Sequence, residues 1–265
     1  MRRLPLLLLA VLAAPATVLA GPAPPSIHGQ AAIVIDVQSG RVLYHKNSRE
    51  PRAVASTQKL LTALLVAEGG NLWETVTIQP ADTAAAPTKF YLKAGQKYSR
   101  YDLLQALLLR SANDVALALA RDNAGSVEAF MEKMNRRART MGATSSRFHN
   151  PNGLPAEGQV STARDMAIIA RNAYANPVVR KIVATPRAEF RYTDGRVREM
   201  VNTNRVLHQA PWCNGMKTGF TNAAGHCLVA SGQENGRDVI AVVLGSNKAN
   251  VWNDTRRLLE WGLNL

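Results

Sequence analysis

The sequence predicts an α+β fold in which helices flank one antiparallel sheet and a mainly helical lobe is inserted into the chain. Three patterns indicate this fold. Apolar strand-like runs lie near both ends of the chain, helical periodicity fills the middle, and an amphipathic helix closes it. Terminal strands that pair with each other form a single sheet. The junction of sheet and lobe is then the expected place for a site, because clefts between such units commonly hold one.

The first elements are a hairpin and a helix. Residues 31–37 form an apolar run, a Gln-Ser-Gly-Arg turn follows, and residues 42–44 continue as the second strand. Residues 56–68 place four leucines on one face and end at a Gly-Gly pair, which predicts a helix.

The remaining elements extend this pattern to the end of the chain. Residues 101–122 contain two helical runs interrupted at Ser111-Ala112-Asn113, and two more helices are predicted over residues 126–141 and 162–175. The predicted late elements are strands at 216–218, 227–231 and 238–245 and a helix at 251–263.

The N-terminus predicts export. Arg2 and Arg3 precede a short apolar run, and small residues stand before position 20, as in a secretory signal peptide. An uncleaved anchor is the alternative, but the apolar run is short for a membrane span. We therefore expect residues 1–20 to be a signal peptide, residues 21–30 a flexible leader, and residues 31–265 a folded domain in two lobes.

The charge balance is strongly basic. Lys and Arg number 32 against 19 Asp and Glu, which gives a net charge of +13. Such an excess suits nucleic acid, an anionic envelope polymer or a membrane surface. Because the chain is predicted to be exported, we do not expect nucleic acid as a partner. We expect peripheral association with the membrane or the wall instead.

Several kinds of catalytic site lack support in the sequence. None of the five histidines pairs with another at metal-ligand spacing, and there is no H-E-x-x-H, G-x-S-x-G or phosphate-binding loop. We predict no metal and no cofactor.

Ser56 and Lys59 form the first candidate pair. Residues three apart lie on one helix face, so the Lys59 amine can reach the Ser56 hydroxyl. A serine at a helix N-terminus lies near backbone N–H groups that suit an oxyanion, and a desolvated lysine can act as a base. The motif alone is equally consistent with a helix cap followed by a surface lysine.

Two further segments carry candidate polar groups. Ser111 and Asn113 interrupt a helical stretch, either as a cap or as a loop that lines a cleft. Lys217-Thr218-Gly219 lies in a strand, where a glycine often marks the close approach of another backbone or a ligand. An ordinary hairpin with an exposed lysine is the alternative.

The three motifs together resemble the penicillin-binding DD-peptidases, a family of serine D-alanyl-D-alanine carboxypeptidases and endopeptidases. The resemblance covers nearly all of the chain after the leader. Its matching segments are AAIVID from residue 31, ASTQK from 55, LLRSANDVALALA from 108, NPNGL from 150, STARDMA from 161 and KTGFTNAAGHCLVAS from 217.

The resemblance implies the β-lactamase/DD-peptidase-like fold and a role for each motif. Ser56 is the expected nucleophile, Lys59 the general base and Ser111 a proton relay. The expected substrate-binding groups are Asn113, Lys217, Thr218, Gly219 and Phe220, the last through its backbone N–H in the oxyanion hole. The implied substrates are D-Ala-D-Ala peptides of peptidoglycan, and β-lactams are the implied covalent inhibitors.

Two alternatives and one choice within the family stay open. A β-lactamase-like hydrolase of the same fold uses a glutamate in an E-x-x-L-N loop, whereas Glu157 is followed by Gly-Gln-Val-Ser. A catalytically silent envelope-binding module is the other alternative, against which three intact motifs argue.

About twenty residues follow Gly245, too few for a further domain. This architecture resembles the endopeptidase branch rather than the longer carboxypeptidases.

Two details are left undecided by the residues. Some relatives carry an arginine before the K-T-G strand that receives the terminal carboxylate, and Arg205 stands near that place but offset from it. An exposed arginine with a structural role is the alternative. Cys213 and Cys227 lie symmetrically about residue 220, so a hairpin centred there would place them opposite each other, and an exported protein permits a disulfide. Two buried, free thiols are the alternative.

Overall fold

The computed structural model describes residues 22–265, so the expected signal peptide lies outside the described residues. The strands are β1 (Ala31–Asp36), β2 (Val42–Lys46), β3 (Thr75–Thr77), β4 (Lys97–Ser99), β5 (Arg187–Arg191), β6 (Val197–Val201), β7 (Cys213–Thr221), β8 (Gly225–Glu234) and β9 (Arg237–Ser246). The helices are α1 (Lys59–Glu68), α2 (Pro80–Thr83), α3 (Arg100–Arg110), α4 (Asn113–Ala124), α5 (Val127–Thr140), α6 (Ala163–Ala175), α7 (Pro177–Val183), α8 (Arg205–Gln209) and α9 (Val251–Leu263).

The main sheet joins the two ends of the chain. Its five strands follow the order β2-β1-β9-β8-β7, and all neighbouring pairs are antiparallel. Strand β1 alternates between the two faces: Ile33 and Ile35 pack toward the helical lobe, and Ala32 and Val34 pack toward α9. The helical segment between β2 and β7 is the inserted lobe, which confirms the predicted α+β architecture.

Helix α1 forms the centre of the inserted lobe. All of its residues from Lys59 to Val66 are buried, and it contacts α3, α4, α5, α6 and α7. The short 3-10 turn just before it, Ala55–Gln58, packs against β7. This junction brings the start of α1 and the edge strand of the sheet together, at the predicted place for a site.

Residues 22–29 have no regular secondary structure but contact the last helix. The Trp261 indole donates to the carbonyl of Pro22 at 2.7 Å, and Ile27 is buried. The backbone N–H groups of His28 and Gly29 donate to the buried Asp254 carboxylate at 3.1 and 2.9 Å. The folded part therefore includes residues that the sequence placed in the flexible leader, and the division into signal peptide, leader and domain stays a prediction.

Helix starts show how capping shifted the predicted boundaries by one residue. Helices α5 and α6 begin one residue after the predicted positions, because Ser126 and Thr162 are N-caps whose hydroxyls accept from Ala129 and Asp165 backbone N–H groups. The sequence missed the two-stranded sheets β3–β4 and β5–β6 and the short helices α2, α7 and α8. Within residues 22–265 no helix has both the length and the apolar character needed to span a membrane.

The hairpin register separates the two cysteines. The turn runs from Thr221 to Gly225, so Cys227 pairs with Gly219 and Cys213 pairs with Gly232. The two thiols also belong to cores on opposite faces of the sheet. Both are free, which excludes the disulfide in this fold.

We expect both thiols to be measurable by titration. Burial raises the pKa of the Cys213 thiol and of the Cys227 thiol to about 11, which leaves little reactive thiolate at neutral pH. The native protein should therefore react slowly with a thiol reagent. Denatured, unreduced protein should show two reactive thiols per chain. A value near zero under denaturing, unreduced conditions would show that the disulfide forms.

Candidate active site

Ser56 lies in the 3-10 turn rather than at the first turn of an α-helix. The α-helix begins three residues later than predicted, at Lys59, because the chain enters through Ala55 with a positive φ of 48° and then tightens into a 3-10 turn. Side chains three apart eclipse each other in such a turn. This geometry places the Ser56 hydroxyl directly beside the Lys59 amine.

The Lys59 amine is fully buried and held by three oxygen atoms. Nζ lies 2.8 Å from Ser56 Oγ, 2.8 Å from Asn113 Oδ1 and 2.5 Å from the backbone carbonyl oxygen of Asn152. In its neutral form the amine donates its two N–H groups to Asn113 and Asn152 and presents its lone pair to the Ser56 hydroxyl. Burial lowers the pKa of Lys59 well below its usual value, the charge of Lys217 lowers it further, and Asp114 opposes both. The amine is thereby favoured in its neutral form while it touches the serine hydroxyl.

Ser111 and Asn113 lie at the junction between α3 and α4. Ser111 ends α3 in the left-handed region with φ 65°, which turns the chain so that Ser111 lines a cleft. Asn113 is the first residue of α4, and its amide nitrogen donates to the carbonyls of Ala86 and Pro87 at 3.0 Å each. Its oxygen accepts from Lys59, so the structure shows Asn113 as a bridge between α1 and the 86–88 segment.

Lys217 and Thr218 lie on β7, across the cleft from Ser111. The Lys217 amine is buried and donates to the carbonyl of Thr218 at 2.9 Å. Burial, assisted by the nearby charge of Arg110, lowers the pKa of Lys217 to about 7. The hydroxyl of Thr218 lies 2.8 Å from that of Thr203.

Gly219 is the point of closest approach between β7 and the serine. A Cβ placed there would lie 3.0 Å from the backbone nitrogens of both Ser56 and Thr57. Only glycine allows the strand to pass this close without displacing the turn. The next residue, Phe220, is 55% exposed and stacks on His226 with ring centroids 4.4 Å apart.

Several groups of the site were not predicted from the sequence. The carbonyl of Asn152 accepts from both Ser56 and Lys59, and Gly153 lies against the Ala55 backbone with φ 82°. Asp114, which is buried and follows Asn113 in the chain, accepts the backbone N–H of Phe90 with both carboxylate oxygens. The NPNGL segment was the available sequence signal for the Asn152 carbonyl. A main-chain carbonyl itself cannot be recognised from the sequence, because every residue has one.

These groups surround one cleft of about 600 Å³. Ser56, Ser111, Thr218, Gly219 and Phe220 line it, and Lys59, Asn113 and Lys217 lie buried just beneath its surface. Glu157 is exposed in a loop and does not line the cleft. A serine hydroxyl in hydrogen-bond contact with a buried lysine amine in a polar cleft is the arrangement required by a serine hydrolase that uses lysine in place of histidine as the base.

The family follows from comparison with known proteins. A family model described as D-alanyl-D-alanine carboxypeptidase matches residues 19–248. The chain belongs to this family, whose members are serine peptidases and therefore hydrolases, and the predicted family assignment is confirmed.

Individual relatives come from both branches of the family. The chain is 38% identical to the D-alanyl-D-alanine carboxypeptidase DacB2 of Mycobacterium tuberculosis over 89% of this chain and 82% of that protein. It is 32% identical to the D-alanyl-D-alanine endopeptidase of Escherichia coli over 89% and 78%. Some carboxypeptidases are longer: the chain spans 57% of Bacillus subtilis DacF, at 34% identity over 82% of this chain.

Solved structures confirm the predicted fold. A D-alanyl-D-alanine carboxypeptidase from M. tuberculosis superposes with a TM-score of 0.88 at 35% identity, covering 93% of this chain and 95% of that one. The Streptomyces K15 DD-transpeptidase gives 0.86 at 30% identity, covering 92% and 100%. The protein thus has the fold of the penicillin-binding DD-peptidases.

Proposed function

We propose that the protein is a serine peptidase that cleaves the bond after D-alanine in peptidoglycan stem peptides, through an acyl-enzyme at Ser56. The observation that carries this proposal is the 2.8 Å contact between the Lys59 amine and the Ser56 hydroxyl, at a lysine that is completely buried. Its substrates are D-Ala-D-Ala peptides, either with a free end or within a D,D-crosslink.

Acylation begins with the transfer of one proton. The neutral Lys59 amine takes the proton of Ser56 Oγ, and the oxygen attacks the carbonyl carbon that precedes the scissile nitrogen. The resulting oxyanion is stabilised by the backbone N–H groups of Ser56 and Phe220, which belong to the turn and to the strand that Gly219 allows to approach it.

Expulsion of the amine needs a proton on the other side of the cleft. Ser111 lines the cleft and passes its hydroxyl proton to the leaving nitrogen, and Lys217, with a pKa of about 7, replaces it. Asn113 contacts the amide on the acyl side, and the peptide lies along β7 as an added strand.

Deacylation returns the enzyme to its starting state. The proton that Lys59 took from Ser56 first passes through solvent to Lys217, so that Lys59 is neutral and Lys217 is charged again. Water then attacks the ester carbonyl, Lys59 takes one proton from that water, and the same proton is returned to Ser56 Oγ as it leaves. A β-lactam acylates the same oxygen, but its amine remains tethered to the acyl group after the ring opens. The adduct at Ser56 is therefore long-lived.

Location and partners follow from the N-terminus and the charge. The signal-like residues 1–20 direct the chain to the periplasm or cell envelope, where its substrate lies. The excess of basic residues retains it near the anionic wall or membrane surface by long-range attraction. Nucleic acid is not a partner.

A covalent label tests the proposal. Fluorescent penicillin should label the protein stoichiometrically, and Ser56→Ala should abolish the label, because the ester needs that oxygen. Ser145→Ala, at an exposed serine outside the cleft, is the matched control and should label like the wild type. Labelling of Ser56→Ala at the wild-type level would refute the proposal, and rapid turnover of penicillin would favour a β-lactamase.

A further inference from the structure

A second groove lies outside the catalytic cleft, between α5 and the segment that follows this helix. Its volume is about 730 Å³, and it shares no lining residue with the cleft around Ser56. A groove of this size accommodates a drug-sized ligand. Every residue that lines it is polar, and three of them are arginines: Arg136, Arg139 and Arg147.

Helix α5 supplies two of these arginines. Arg136 and Arg139 are three residues apart, so they lie on one face of the helix. Both are exposed, and none of the ion pairs within residues 22–265 involves either of them. Arg137, in contrast, is paired with Glu68 at 2.7 Å. The two groove arginines therefore keep their hydrogen-bond donors available for a ligand.

Arg147 is held at the same groove through the main chain around it. The Asn135 amide of α5 donates to the carbonyl of Phe148 at 2.8 Å and accepts the Phe148 N–H at 2.9 Å. The backbone of Arg147 exchanges two hydrogen bonds with Val160, at 2.8 and 3.0 Å. The dipole of α5 favours basic residues in its last turn, but it does not explain an arginine on this separate segment.

The groove is positively charged. Glu132 is the one acid among its lining residues, so three arginines against one glutamate leave a net charge of +2. A concave surface with such a charge concentrates anions. The exposed Thr144 and Ser145 add hydroxyl groups that can donate to an anion.

These groups suit a phosphate diester in a hydrated polymer. A guanidinium group forms paired hydrogen bonds with phosphate oxygens. A tetrahedral phosphate directs its oxygens out of one plane, so it can meet arginines from α5 and from the Arg147 segment, whereas a carboxylate is planar. Within residues 22–265, no apolar side chain lines the groove. A surface that binds a bilayer inserts apolar side chains into it, so a hydrated polymer fits this groove better than a membrane.

We propose that this groove binds the phosphate groups of a phosphodiester-linked polymer of the cell envelope and so holds the enzyme near its substrate. The inference rests on the proposed envelope location but does not use the acyl-enzyme at Ser56. It goes beyond attraction by the overall basic charge, because it assigns retention to Arg136, Arg139 and Arg147.

Calorimetric titration of the purified protein with short poly(glycerol phosphate) at low ionic strength tests this inference. We expect Arg136→Gln/Arg139→Gln to raise Kd about tenfold, because contacts with a charged group are lost. Glu132→Gln should lower Kd about threefold, since it removes the opposing charge. Arg187→Gln/Arg191→Gln, which removes two exposed charges on β5, is the matched control and should bind like the wild type.

The outcomes separate a built site from general attraction. An equal rise in Kd for the control and for the groove variant would overturn the inference, because it would show that only net charge matters. A wild-type protein that does not bind the polymer, or that binds phosphatidylglycerol vesicles more tightly, would also overturn it. Inorganic phosphate should compete weakly, and competition as strong as that of the polymer would refute the assignment to a polymer.

Penicillin acylation keeps this inference distinct from the proposed function. Every groove variant should be acylated at the wild-type rate, because the groove lies outside the catalytic cleft. Loss of polymer binding with normal acylation would refute the groove alone. A wild-type protein that binds the polymer but does not react with penicillin would support the groove and refute the acyl-enzyme.

Discussion

Replacement of Lys59 by arginine is expected to abolish acylation of Ser56 by penicillin, with a loss of about 10²–10⁴-fold in the second-order rate constant. The wild-type amine can accept the serine proton because burial and the charge of Lys217 lower the pKa of Lys59 well below its usual value. A guanidinium has a pKa above about 12 and stays charged at any working pH. It can hydrogen-bond to Ser56 Oγ, but it cannot take the proton.

The measurement is stopped-flow or gel-based acylation with a fluorescent penicillin, together with thermal unfolding to show that each variant is folded. Lys59→Met, which removes the base and keeps an unbranched chain of similar length, should lose activity to the same extent. Lys181→Arg, on the exposed surface of α7, is the matched control and should acylate at the wild-type rate. Acylation of Lys59→Arg within about tenfold of the wild type would show that another group is the base.

The contact between Ser56 and Lys59 was predictable because its signal is local. Ser56 and Lys59 are three residues apart, and the same spacing brings their atoms together in an α-helix or in a 3-10 turn. The sequence therefore predicted the contact correctly although it placed the helix start three residues too early. The turn starts at Ala55, whose positive φ lies against Gly153, and a contact between residues so far apart in the chain is not readable from local spacing.

The hydrogen-bond network around the pair could not be predicted in the same way. Asn113 was expected to bind the substrate, yet its nitrogen donates to Ala86 and Pro87 and its oxygen accepts from Lys59. Such partners depend on how the lobe folds back on itself, and no motif spacing encodes them. Its contact with substrate remains a prediction.

The hairpin shows a similar limit. Symmetry of Cys213 and Cys227 about residue 220 allowed a disulfide, but the turn is centred at residue 223, between Thr221 and Gly225. A shift in the centre of a hairpin changes every cross-strand partner, and the strand pattern alone does not determine where that centre lies. The strands themselves were predicted: residues 227–231 and 238–245 are mainly apolar, whereas β7 was predicted only over residues 216–218.

Asp114 is expected to be the residue outside the reacting groups whose loss has the largest effect. Its carboxylate is 1% exposed and accepts from the backbone N–H groups of Phe90 at 2.9 and 3.0 Å, Leu92 at 3.3 Å and Val115 at 3.0 Å. These bonds hold residues 90–92 in place. The carbonyls of Ala86 and Pro87, just before this segment, accept from the Asn113 amide, and the Asn113 oxygen contacts Lys59. Asp114 thus supports the site through the main chain.

Asp114→Ala should therefore lower both stability and activity. It leaves buried N–H groups without an acceptor, each at about 1–3 kcal/mol, so we expect a loss of about 3 kcal/mol or more. For a domain of this size, that corresponds to a fall in Tm of about 6–12 °C, measurable by circular dichroism. Penicillin acylation should fall as well, because Asn113 loses its support, and Asp114→Asn, which keeps one acceptor oxygen, should be intermediate. Glu157→Ala, which removes an exposed carboxylate, is the control. A Tm for Asp114→Ala equal to that of the control would mean that the other contacts of the 88–92 segment, such as the bonds from Asn113 N–H to Thr88 and from the Tyr192 hydroxyl to Phe90, hold it without Asp114.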